Sequence, residues 1–143
     1  MSKLSMFLRK NKKIRENTKF PATTSLVDAD GNALEWEIKP LSTKKNEQIR
    51  EECTREVPIK GKPHMFRQKI DSSAYGTKLI VASVVDPDLY NAELQDSYGV
   101  KTPEDLVQEM IDNPGEFANF QKFIQEFNGF TEKMEDEVEE AKN

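Results

Sequence analysis

The chain has one cysteine, one histidine and one tryptophan in 143 residues. Cys53, alone, excludes an internal disulfide framework and fits a reducing compartment. With His64 as the sole histidine, most hydrolytic and metal-binding constellations are out of reach. No apolar run approaches the roughly 18 residues that a membrane-spanning helix needs. The N-terminus MSKLSMFLRKNKK has too short an apolar centre, and no small-residue cleavage site, for a secretory signal. The six glycines read as turn and cap residues, none of them in a phosphate-cradling loop. Carboxylates are plentiful but fall in segments that read as solvated, where a pKa useful for acid–base work is hard to arrange. The expectation is a soluble cytoplasmic protein that is not an enzyme, holds no cofactor or metal, and has no membrane partner. A binding or assembly role is the favoured class.

What is present is charge. Hydrophobic residues make up 36% and charged residues 33%, so one modest core must support a heavily solvated surface. The charge is unevenly spread: residues 1–85 carry 17 Lys/Arg against 10 Asp/Glu, and residues 86–143 carry 4 against 16. A chain this dipolar can attract its own other end, or associate head to tail with copies or partners, in a salt-dependent way; two solvated faces of one domain is the plainer reading.

The longest apolar segment lies within Ser72 to Val100. Leu79, Ile80, Val81, Ala82, Val84 and Val85 leave almost no polar face, as in a buried central helix. Asp71 is a plausible N-cap, and Asp86-Pro87 sets the stop near Val85. Asn91 to Leu94 open a short helix, with Gly99 placed for a left-handed C-cap. Thr102-Pro103-Glu104-Asp105 is a strong helix start, continued by Leu106, Val107, Met110 and Ile111 on one face. Asn113-Pro114-Gly115-Glu116 repeats the start signal, with Asn113 and Glu116 at capping-box spacing. Phe117, Phe120, Phe123, Ile124 and Phe127 follow at helical steps up to Asn128-Gly129.

Upstream, Leu4, Phe7 and Leu8 among Arg9, Lys10, Lys12 and Lys13 suggest an amphipathic helix over Ser2 to Lys13. Its basic character raises nucleic acid or an anionic membrane surface as ligands, but the aromatic and glycine pattern of a strand-binding surface is missing, and nucleic acid is disfavoured. Thr23 to Val27, a turn at Ala29 to Asn32, and alternating Leu34, Trp36 and Ile38 predict a β-hairpin. Asp28, Asp30 and Asn32 form a turn rather than a calcium loop, because Gly31 is misplaced for an EF-hand. Ser42 or Thr43 caps a helix to about Arg55, with Ile49 and Cys53 inward. Cys53 reads as packing rather than as a nucleophile. Residues 57–70 form a basic loop or a loose edge hairpin, Val57–Lys60 against Met65–Gln68, in which His64 is solvated. This loop is the best candidate for a mobile contact surface.

The expected fold is therefore α+β: a mostly helical single domain over residues 1–143, with an N-terminal β-hairpin packed on a bundle of about five helices. Within it, residues 1–19 form a basic arm, 20–41 the hairpin, 42–130 the helical body with its basic loop 57–70, and 131–143 an acidic C-terminal tail with a thin stripe of Met134, Val138 and Ala141.

Several segments, taken in order, resemble the XkdN-like family of phage tail assembly chaperones, encoded by prophages and tailed phages of Gram-positive bacteria. They are FLRKNK, LEWEIKPLS, EECT, LIVASVVDPDL, NAELQDSYGV, EMIDNPGEF, FNGF and MEDEVEEAKN. None is catalytic; they act as packing, cap and turn signals, and their combined order carries the likeness. The resemblance implies a small protein of the bacterial host cytoplasm, absent from the finished virion. Its partners would be the tape-measure protein, held soluble and extended, and the tail-tube protein recruited to it. The family also implies a longer product made by ribosomal frameshifting near the acidic tail.

A chaperone needs an adaptable apolar surface with a solubilising periphery. The candidate partner-binding residues are Leu4, Phe7, Leu8, Phe117, Phe120, Phe123 and Phe127, although the four phenylalanines also suit a face that covers the core. Two rival readings are a small DNA-binding regulator using the basic arm, and a structural tail component.

Overall fold

The computed structural model describes residues 2–130. Among them the elements run α1 (Lys3–Phe7), a 3-10 turn (Arg9–Asn11), β1 (Thr18–Phe20), β2 (Trp36–Ile38), α2 (Thr43–Glu52), β3 (Thr54–Ile59), β4 (Lys62–Ile70), α3 (Ser72–Ser83), β5 (Val84–Asp86), α4 (Ala92–Ser97), α5 (Pro103–Met110) and α6 (Pro114–Phe127). The fold is α+β, with six α-helices and two small antiparallel sheets among the described residues. The acidic tail at 131–143 lies outside them.

Helix starts follow local chemistry. Ser2, Ser42, Asp71, Asn91, Thr102 and Asn113 each accept a first-turn backbone N–H on a side-chain oxygen, satisfying one of the donors that a helix start leaves open. Pro103 and Pro114 occupy first-turn positions where a missing N–H costs nothing. Gly99 ends α4 at φ 67°, letting the Val100 N–H close onto the Gln95 carbonyl at 3.1 Å.

Around α3 is the core. Leu79, Ile80 and Val81 of α3 are buried with Leu106, Val107 and Met110 of α5 and Phe120 and Ile124 of α6. Ile49 of α2 and Cys53 after it close one side; Trp36 and Ile38 of β2 close another. Trp36 meets the Phe120 ring edge-on at 5.6 Å, and Phe20 stacks on Phe123 at 4.1 Å, so the first strand pair is clamped to α6 by aromatic rings.

The structure departs from the sequence expectation in six places. The central helix stops at Ser83 instead of near Val85, and Val84 to Asp86 become a strand paired with β2. Two consecutive β-branched residues before a proline suit that switch. β2 pairs mainly with Thr18–Phe20, in the register Phe20↔Trp36, and the segment around Thr23 to Val27 contributes only a Val27↔Ala33 bridge. Leu34 is exposed, so the inward alternation is confined to Trp36 and Ile38. The turn between them closes through Asp28, whose Oδ1 accepts the N–H groups of Asp30 and Asn32 at 2.9 and 3.0 Å. Of the two readings for residues 57–70 the hairpin is the one that forms, with Val57 opposite Arg67, but its strands are longer than expected: β3 begins at Thr54 and β4 runs from Lys62 to Ile70. At the N-terminus, helix is limited to Lys3–Phe7 and the 3-10 turn.

The sixth departure is at α6. Asn113 caps the helix as expected, accepting the Glu116 N–H at 3.0 Å. The Glu116 carboxylate, however, accepts from Thr23 Oγ1 at 2.8 Å and from the Thr24 N–H at 2.8 Å. It anchors the strand-connecting loop to the helix rather than completing a capping box.

Candidate functional site

The candidate partner-binding residues separate into two groups. Leu4 and Phe7 are 73% and 76% exposed, and Leu8 is 44% exposed. They lie on and just after α1, a five-residue helix held by Ser2, whose Oγ accepts the Ser5 N–H at 3.3 Å. Met6, which the spacing argument passed over, is exposed beside them. Arg9, Lys10, Lys12 and Lys13 follow immediately, all exposed. The arm therefore presents four large apolar side chains to solvent at the edge of a cationic segment, although a folded chain ordinarily buries such residues where it can.

The four phenylalanines of α6 sit elsewhere. Phe120 is 0% exposed, between Phe20 and Trp36. Phe117, Phe123 and Phe127 are half-buried against the same core, and Phe123 stacks with Phe127 at 6.0 Å. Phe120 is thus core, and the neighbouring rings offer only their outer edges.

Two depressions flank this helix. One, about 590 Å³ and open to solvent, lies between the start of α3 and α6, lined by Ser72, Gly76, Ile111, Phe117, Ala118 and Gln121 among others. A second, about 300 Å³, is more polar and brings Lys12 and Arg15 of the arm against Ser42, Asn46, Asn128 and Phe130. Arg15 reaches the Leu41 carbonyl, and the Leu41 N–H donates to Asn128 Oδ1 at 2.7 Å, so the root of the arm is tied to the end of α6.

Reactive chemistry is sparse. Cys53 is buried, and burial pushes its thiol up, away from the thiolate that a nucleophile needs. His64 is exposed on β4. No cluster of three or more histidine, cysteine or acidic residues suited to a metal is present among the described residues. Burial also raises the Tyr75 hydroxyl, which donates to Asn46 Oδ1 and joins α3 to α2. For Lys78, burial acts to lower the pKa, but Glu104 and Glu52 outweigh it and the net direction is upward. Its Nζ lies 3.5 Å from Glu104 and 3.7 Å from Glu52, linking α5 and α2 through α3. These groups hold helices together.

The basic segment expected as a contact surface forms the β3–β4 hairpin, in which Met65 and Phe66 are exposed with Arg55, Arg67 and Lys69. The signal was legible as alternation: Met65, Arg67 and Lys69 fall on one side, Phe66 and Gln68 on the other.

With this geometry in place, comparison with known proteins decides the family. The profile of the phage XkdN-like tail assembly chaperone protein matches residues 4–142. The chain belongs to that family. It is 29% identical over 140 residues to the phage-like element PBSX protein XkdN of Bacillus subtilis (strain 168), covering 98% of this chain and 93% of that one. It is 27% identical, with the same coverage, to YqbN of the same organism. The crystal structure of a YqbN protein shares the fold, with a TM-score of 0.75 and 23% identity, over 92% of this chain and 99% of that one. No helix among the described residues is long and apolar enough to cross a membrane.

Proposed function

We propose that this family member is a non-enzymatic chaperone that binds the tape-measure protein in the host cytoplasm and helps recruit tail-tube subunits to it. The observation that carries the reading is the arm: Leu4, Met6, Phe7 and Leu8 are exposed together on and just after a capped helix, while the apolar side chains clustered around α3 are covered. An exposed apolar cluster edged by lysines suits an amphipathic segment of a long helical partner, with the charges keeping the unbound protein soluble. The outer edges of Phe117, Phe123 and Phe127 extend the apolar surface, while Phe120 supports it from within.

The test is co-expression with the tape-measure protein encoded in the same tail gene cluster. The reading expects that protein to become soluble and to co-purify with the chaperone. A tape-measure protein that stays insoluble, or a chain found in finished particles, contradicts it.

A further inference from the structure

The β3–β4 hairpin stands apart from the three-stranded sheet, its two strands paired only with each other among the described residues. A two-stranded ribbon of this kind is marginal in water by itself. Directly opposed residues of an antiparallel pair share a face. Here Arg55 opposes Lys69 and Val57 opposes Arg67, so one face holds three cations around a valine. None of the three has a carboxylate within ion-pair distance among the described residues. Like charges set directly opposite each other weaken strand pairing, so this face is built at a cost that an anionic cover would remove. The other face is different in kind: Gln68 donates to Glu56 at 3.4 Å, and Phe66 opposes Pro58.

Residues 54–70 hold five cations and one carboxylate, a net +4; residues 131–143 hold six carboxylates and two lysines, a net −4. Gln125 shares a depression with Ser72 and Ser73, just past the end of β4, and Phe130, the last described residue, shares one with Ser42, Thr43 and Asn46 at the start of α2, a helix of about 15 Å that leads into β3. Thirteen residues reach about 40 Å when extended, and the ribbon is about 30 Å long. A tethered segment also acts at an effective concentration that a free acidic peptide does not match.

We propose that the acidic segment 131–143 docks along the Arg55–Arg67–Lys69 face of the hairpin in the same chain, neutralising it. The contact goes beyond the partner-binding role of the arm and does not depend on it.

Zero-length carbodiimide coupling of the full chain, as an equal mixture of unlabelled and ¹⁵N-labelled protein at low salt, reads the contact directly. Lys69, the lysine of that face, is expected to join carboxylates between Glu135 and Glu140 within one isotopic species, with the products lost at about 0.5 M salt. Coupling confined to Lys10, Lys12 and Lys13, or products of mixed isotope, overturns the proposal. So does a labelled DNA duplex that the full chain binds at low salt and that Arg55→Ser/Arg67→Ser releases, since phosphate would then hold the face. As a second measurement, replacing Glu135, Asp136, Glu137 and Glu139 by Gln is expected to speed amide exchange in β3 and β4 several-fold; unchanged exchange also overturns it.

Discussion

Glu116 and Thr24 lie 92 residues apart in sequence, yet one carboxylate oxygen accepts both the Thr24 N–H, at 2.8 Å, and the Thr24 hydroxyl, at 2.9 Å. The contact fixes the loop after β1 to the first turn of α6, and so sets Phe20 over Phe120 and Phe123. The acid is also well placed at a helix N-terminus.

The Thr24 N–H first, then the Thr23 and Thr24 hydroxyls, hold the Glu116 carboxyl below its ordinary value of 4.5. A carboxylate with a lowered folded pKa contributes stability that is complete above the unfolded value and is lost as pH falls through the folded one. Glu116→Gln is expected to lower the urea midpoint at neutral pH and to flatten the wild-type decline below pH 4.5. Identical midpoints for the two proteins across the acid range would remove the anchor from the account.

Phe120 and Phe7 are both aromatic residues on helices, but their fates on truncation should differ. Phe120→Ala empties a fully buried site and is expected to cost about 3–5 kcal/mol by denaturant titration. Phe7→Ala removes a ring that is 76% exposed and should stay within about 0.5 kcal/mol of wild type. A large loss at Phe7 would mean that the arm packs on the domain.

Ser83 ends α3 with its hydroxyl buried and no described hydrogen-bond partner. A buried hydroxyl left unpaired costs free energy, so Ser83→Ala should leave stability unchanged or raise it by about 1 kcal/mol. A drop of similar size would reveal a partner for the hydroxyl.

Gly99 at φ 67° allows the turn that closes α4. Any other L-residue is strained there, and Gly99→Ala is expected to cost about 1 kcal/mol, read as a lower thermal midpoint without loss of helical circular dichroism.

Much of this architecture was legible because the signals are local. Caps at Ser42, Asp71, Asn91, Thr102 and Asn113 depend on side chains within three residues, and the inward stripes of α5 and α6 depend on helical period alone. Non-local choices were not legible. Nothing near Val84 announces β2 as a partner, and the Glu116 carboxylate fits a capping box as well as it fits Thr24. The candidate site shows the same limit. Periodicity groups Leu4, Phe7 and Leu8 with Phe120 as apolar faces alike; only tertiary packing exposes the first three and buries the last.

The most direct measurement of the central claim is the affinity of the tape-measure protein for Leu4→Asp/Phe7→Asp, with thermal stability recorded in parallel. Both residues are exposed, so the account predicts an unchanged melting temperature and at least a roughly tenfold weaker complex, the loss expected when apolar anchors leave an interface. A stable variant that binds the tape-measure protein as tightly as wild type would contradict it.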